Sequence, residues 1–440
     1  MQRAEVIDAV CAWGWDRESH ASPERAEAAL AALGSVGNVR DDFVLACITG
    51  EVEAVRAALA REPALATAPS PPRDWPPLLY TCFSVLGRAG GPRAARIVEV
   101  AELLLAHGAD GNSHYRHRDP SDDCKFPALY AAIAVTDNLD LAAALLAGGA
   151  SPSDGQSLYH AAERFSTDAL DLLYRFQLDR DELSYCLLHQ IDFQYEPGIR
   201  WLLAHGADPD ARHPQSGESA LHWAIKRASS RDVVALLIAH GAEVNARVRA
   251  EHSLYPEIRG ATPIDLARRL ARADLVALLG AHGGHASPIL DDDAFVFAIL
   301  EGTPPPAAGA LARLSAIDRA LLTHVAHQNE TAAAIRLIEA GWPLDSRGWM
   351  AATPLHWAAC RGNATLARAL LAHGAPMIDV GGYFQTPLHT ALHCRWPREP
   401  ADPAGVLDAL VAAGAALPAT RPTTGHAALD AALDRLYAAR

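Results

Sequence analysis

Long apolar runs, an excess of basic charge and closely spaced cysteines are all missing from this 440-residue chain. No window approaches 18 uninterrupted apolar residues. Leu141–Ala150 (LAAALLAGGA) is among the greasiest stretches, and it is far too short to span a bilayer. The N-terminal MQRAEVIDAVCAWGW has no basic segment leading into an apolar run, so no export signal is read there. Lysine and arginine number 38 against 52 acidic residues, a net charge of −14 that argues against broad binding to nucleic acid or acidic membranes. The seven cysteines (Cys11, Cys47, Cys82, Cys124, Cys186, Cys360 and Cys394) never form a CxxC pair. That scatter predicts neither a disulfide framework nor an all-thiolate zinc site, and it favours a reducing, cytoplasmic location. Secretion as an effector stays open.

What is present is apolar content of 50% with charge at 20%, enough to fold. A chain this long exceeds one conventional core, leaving two to four domains or a repeat array. Repeats are evident. An apolar Leu-Leu run followed by Gly-Ala-Asp or a relative recurs, as LLLAHGAD ending at Asp110, WLLAHGAD at Asp208, LLIAHGAE at Glu243 and LLAHGAP at Pro376. The marker glycines Gly341 and Gly374 are 33 residues apart, Gly206 and Gly241 are 35, and Gly241 and Gly283 are 42. This is a unit of about 33 residues with insertions. Some twenty residues before these glycines stands Thr353-Pro354-Leu355-His356-Trp357-Ala358-Ala359, repeated as Thr386-Pro387-Leu388-His389-Thr390-Ala391. Looser copies begin at Ser219 and Thr262. These TPLHxA and LLxxGAD signatures resemble the ankyrin repeat.

The spacing has a physical reading of its own. Thr353 caps a first helix and Pro354 suits its opening position. Leu366, Leu370 and Leu371 stripe a second helix, and Gly374 supplies the left-handed residue that ends it. Each pair has two apolar faces and needs neighbours on both sides. The expectation is an all-α ankyrin-repeat solenoid of stacked helix-turn-helix units with hairpin fingers, about eleven in number. A helical cap occupies residues 1–40, a first array 41–285, a second array 286–424 and a closing helix 425–440. The break rests on DDDAFVFAILEG (Asp291–Gly302) mirroring DDFVLACITGE (Asp41–Glu51). One continuous array with an irregular repeat fits equally well.

Nine of the 20 histidines have structural explanations. His107, His205, His240, His282 and His373 sit in the last turn of second helices, where the dipole favours a partly positive ring. His189, His222, His356 and His389 occupy the signature position, where Leu79-Tyr80, Leu129-Tyr130 and Leu158-Tyr159 carry tyrosine instead. His114 and His117 with Asp119, Asp122, Asp123 and Cys124 offer metal donors, but at no trusted zinc spacing. His160-Glu163-Arg164 and His324-His327 are candidate acid–base groups, unaccompanied by a phosphate loop, a GxSxG or an HExxH. No catalytic residue, metal or cofactor is assigned, and an enzyme is not expected.

The resemblance implies a protein-interaction scaffold that binds a protein partner through groove and fingers; charge and hydropathy argue against nucleic acid and membrane insertion, and the oligomeric state is left open with a monomer favoured. The long connections Gly111–Phe126, Ala246–Gly260 and Trp342–Ala352 and the end of each first helix are where specificity is expected. The partner-binding candidates are Arg116, Arg118, Arg164, Lys226, Arg227, Arg247, Arg249, Tyr255, Trp342, Trp349 and Arg361. Arginine forks suit acidic groups and exposed tryptophan suits hot spots. The alternative is a small-molecule-binding or catalytic protein with a polar concave pocket.

Overall fold

The computed structural model describes residues 2–12, 21–33, 39–116, 124–164, 166–214, 216–248, 260–289, 291–304, 314, 316–394 and 401–439. They form two compact units, Met1–Ala211 and Arg212–Arg440. The step expected near residue 285 lies inside the second unit.

The first unit runs α1 (Arg3–Val10), α2 (Pro23–Leu33), α3 (Phe43–Thr49), α4 (Val52–Arg61), α5 (Pro77–Cys82), α6 (Ala94–Ala106), β1 (His114–Arg116), β2 (Lys125–Pro127), α7 (Ala128–Tyr130), α8 (Leu139–Ala147), α9 (Ser157–Ala162), α10 (Asp168–Tyr174), α11 (Arg180–Phe193) and α12 (Glu196–Ala204). Odd-numbered helices from α3 pack on odd ones and even on even: α3 on α5, α4 on α6, α6 on α8, and α9 on α11. Side-chain caps fix several of the starts. Asp42 accepts the backbone N–H of Leu45 at 3.0 Å, and Asn138 accepts that of Leu141 at 3.0 Å. The caps satisfy donors that a helix leaves orphaned. The first long finger is an antiparallel hairpin in which His114 faces Pro127 and Arg116 faces Lys125. Rings hold it down: Tyr115 stacks between Trp75 (4.5 Å between centroids) and Phe126 (4.9 Å).

The second unit continues with α13 (Ala220–Lys226), α14 (Arg231–Ala239), α15 (Pro263–Arg269), α16 (Ala273–Ala281), α17 (Asp291–Glu301), α18 (Ala316–Arg319), α19 (Leu321–Gln328), α20 (Thr331–Glu339), α21 (Pro354–Cys360), α22 (Ala364–Ala372), α23 (Pro387–His393), α24 (Pro403–Ala412) and α25 (Ala427–Ala438). Its core is the inter-helix layer expected from the leucine stripe: Leu355, Leu366 and Leu370 are fully buried, with Leu337 and Val406 from the neighbouring pairs. A fully buried leucine is worth about 1.5–3 kcal/mol. Gly374, at φ +84°, ends α22, and the Ala375 N–H beyond it returns to Leu370 O at 2.9 Å.

Five of the seven cysteines are free and no disulfide framework forms among the described residues, but one pair is bonded. Cys360 and Cys394 are joined as a disulfide, with Cα atoms 5.2 Å apart. Their separation of 34 residues is one repeat, so equivalent positions on adjacent first helices fall side by side. Such a pair is set by the period of the repeat and leaves no close CxxC-type spacing in the chain.

Candidate functional site

The signature histidines explain themselves first. His356 joins Thr353 Oγ1 through Nδ1 (2.7 Å) and Gln385 O through Nε2 (2.9 Å), tying its helix start to the next finger. His222 does the same with Ser219 Oγ (2.8 Å) and Ala261 O (3.0 Å). At Asp265 the chemistry inverts: a carboxylate can only accept, and the next finger offers it Ser287 N–H (2.6 Å) and Ser287 O–H (2.8 Å). Tyr80 uses its longer reach, its hydroxyl donating to Ser70 O at 2.9 Å and accepting from Arg73 N–H at 2.9 Å. The five last-turn histidines all place Nδ1 within 2.7–2.9 Å of the carbonyl four residues earlier, as His205 does with Trp201 O.

These contacts mark out an ordered series of helix pairs with linked fingers. The ankyrin-repeat family model in three copies matches residues 129–248 and 187–287, and the single-repeat model matches residues 352–381. The chain is an ankyrin-repeat protein. No curated protein matches it.

Within the ankyrin units, four of the six described charges expected to meet a partner serve the fold instead. Short first helices leave carbonyl ends buried, and a long polar side chain from a later repeat caps them. Arg361, 1% exposed, donates Nε–H to His327 O at 3.1 Å. Gln328 reaches Ile225 O at 2.8 Å, and Arg272, which sequence reading passed over, holds Ser229 O and Gln328 Oε1, each at 3.1 Å. Arg164 spans to Ile133 O at 3.2 Å and pairs with Asp137. Lys226 is bound to the fully buried Glu218 at 2.9 Å. Trp342 is buried, stacked on Phe295 with its indole N–H on Asp318 O at 2.7 Å, so it is a core residue rather than an exposed hot spot. The motif gave these residues their helix-end positions but not the carbonyls waiting beside them.

Arg227 is also buried, its guanidinium lying between Trp223 (4.3 Å) and Trp349 (3.8 Å). Trp349, half-buried, closes this stack from the finger, beside the exposed Met350. His324 lies nearby, held neutral down to about 4 by burial and then by the charges of Lys226 and Arg269. Arg247 is exposed, donating to Gly260 O at 2.6 Å, and Arg116 is exposed at the end of β1. Arg118, Arg249 and Tyr255 lie outside the described residues, as do His117, Asp119, Asp122 and Asp123. Among the described residues no cluster of three histidine, cysteine or carboxylate groups has metal-binding geometry.

The first unit gathers a group that sequence reading had seen only in fragments. Glu163 follows α9 and accepts from His160 Nδ1 (2.7 Å) and His189 Nε2 (3.2 Å). Burial opposes its ionisation, yet the two imidazole donors win and hold its carboxyl down at about 2. Above it Tyr159 stacks on His189 with centroids 3.6 Å apart, and Tyr185 stacks on Tyr159 at 6.0 Å. Tyr185 is 50% exposed. The Tyr-for-His change at position 159 was the available signal; Tyr185, one repeat on, gave none.

A separate cavity of about 380 Å³ opens between the first finger and the next, lined by His114, Lys125, Asp154 and Glu182 among others. Burial and the neighbouring Asp154 and Asp179 push the Glu182 carboxyl up to about 7.

Proposed function

We propose that this chain is a non-enzymatic scaffold that docks a protein partner on its first helices and fingers, working in the cytoplasm as a monomer. Ankyrin repeats generally mediate protein–protein interaction. The observation that carries the reading to this chain is the Tyr185–Tyr159–His189 stack. It offers aromatic area on packed helices, already ordered before binding. Trp349 offers a second anchor in the other unit. The polar groups around both are engaged in holding repeats together, which suits a rigid surface. The free thiols of Cys11, Cys47, Cys82, Cys124 and Cys186 carry the reducing-compartment reading, against the one Cys360–Cys394 disulfide.

A small-molecule reading draws on the cavity beside Glu182, whose lining of both charges suits a compact polar ligand. Affinity capture from native lysate separates the two. The control bait carries Tyr185→Ala and Trp349→Ala; because Trp349 also packs over Arg227 and Trp357, circular dichroism checks that this bait is folded, and the core residues Trp342 and Arg361 are left unchanged. The scaffold reading expects a macromolecule retained by the wild-type bait and lost from the control. A co-purifying metabolite with no macromolecular difference would overturn it.

A further inference from the structure

We infer that the Tyr185–Tyr159–His189 platform is a docking site for an arginine side chain in a basic segment of the partner. This rests on the scaffold reading above and names the chemistry that reading leaves blank.

Three observations converge. First, the platform has the right faces: α9 and α11 hold two tyrosine rings and an imidazole in a graded stack, with interplanar angles of 24° and 21°. Tyr185 is half exposed at its outer end. A planar guanidinium stacks on such faces and is drawn to their negative quadrupole. Second, the charge beneath and beside the rings is negative. Glu163 is an ionised carboxylate under His189, with about a third of its side chain still accessible. Burial raises the Tyr159 hydroxyl pKa, and Glu163 and Asp192 add to that rise, so both acids are felt at the ring. Exposed Asp181 lies one helical turn before Tyr185 on α11. Third, the neighbouring cations are engaged away from the rings: Arg164 is paired with Asp137 and donates to Ile133 O, and Arg180, which keeps its charge, donates to Gly206 O at 3.1 Å. An acidic segment would meet like charge from Glu163 and Asp181, and an apolar one would leave the exposed Asp181 unengaged. A basic segment satisfies rings and carboxylates together.

The test uses the full chain and a fluorescein-labelled peptide of alternating arginine and glycine, titrated by anisotropy. Two counterparts replace every arginine, one by citrulline and one by glutamate. The arginine peptide should bind, and both counterparts should bind far more weakly. Tyr185→Ala should weaken the arginine peptide by about 5-fold, while Tyr185→Phe, which keeps the ring face, should stay within about 2-fold of wild type. The inference is overturned if citrulline binds as well as arginine, if Tyr185→Ala binds like wild type, or if free arginine amide competes as effectively as the peptide, which would mark a small-molecule site. A captured partner that ignores Tyr185 sinks this inference and leaves the scaffold standing. Capture of no macromolecule at all sinks the scaffold itself.

Discussion

His222 sits fully buried between Ser219 Oγ and Ala261 O, and burial depresses its pKa to about 4. An unfolded histidine titrates near 6.5. The folded form therefore resists a proton that the unfolded form accepts. Its contribution to stability is intact above pH 6.5, falls as pH drops from 6.5 towards 4, and is constant below that. Linkage over this window puts the loss at about 2 kcal/mol by pH 5 and about 3 kcal/mol in full. His222→Gln separates this effect from other titrations. Its amide can still donate to Ala261 O but cannot titrate. At pH 7.5 it should cost about 1–2 kcal/mol, the loss of the better-shaped bonds. By pH 5 the wild type should have fallen to meet it. Urea unfolding followed by tryptophan fluorescence, comparing the two proteins at each pH, reads the gap directly. A gap of the same size at pH 7.5 and pH 5 would refute the reasoning, because the imidazole would then not be held neutral.

Lys226→Met should destabilise by about 3 kcal/mol by stranding the buried Glu218 carboxylate, and adding Glu218→Leu should recover more than half of that in thermal unfolding. Arg272→Met should cost about 3 kcal/mol in urea unfolding, because it strips Ser229 O, Gln328 Oε1 and Asp274 of a shared donor; a loss under 1 kcal/mol would contradict the carbonyl-capping account. In the folded protein at pH 7, maleimide followed by mass spectrometry should modify Cys124 well before Cys11, Cys47, Cys82 or Cys186. Burial pushes those four thiols up, Cys11 to about 12, and equal labelling would show that they are reachable.

The repeat and its local stereochemistry were legible in the chain. The period of about 33 residues, Thr353 before Pro354, and Gly374 after a leucine stripe each act within a few bonds or one helical turn, so residue order determines them. The structure bears out the helix pairs and the hairpin at the first finger. Which groups remain free for a partner was not legible. Arg361, Arg164 and Lys226 occupy the helix-end positions the motif assigns, yet Arg361 and Arg164 are consumed by carbonyls of a preceding repeat and Lys226 by the buried Glu218 just before its own helix. Trp342 lies in a finger by sequence and in the core by packing, because Phe295 and Asp318 O close over it. In the same way, Tyr159, Glu163, Tyr185 and His189 become one surface only when α9 packs against α11. Sequence alone determined how each unit is built, since capping and helical periodicity are local. Tertiary structure decided which side chains are spent and which are offered, since burial and hydrogen-bond partners depend on neighbours one or more repeats away.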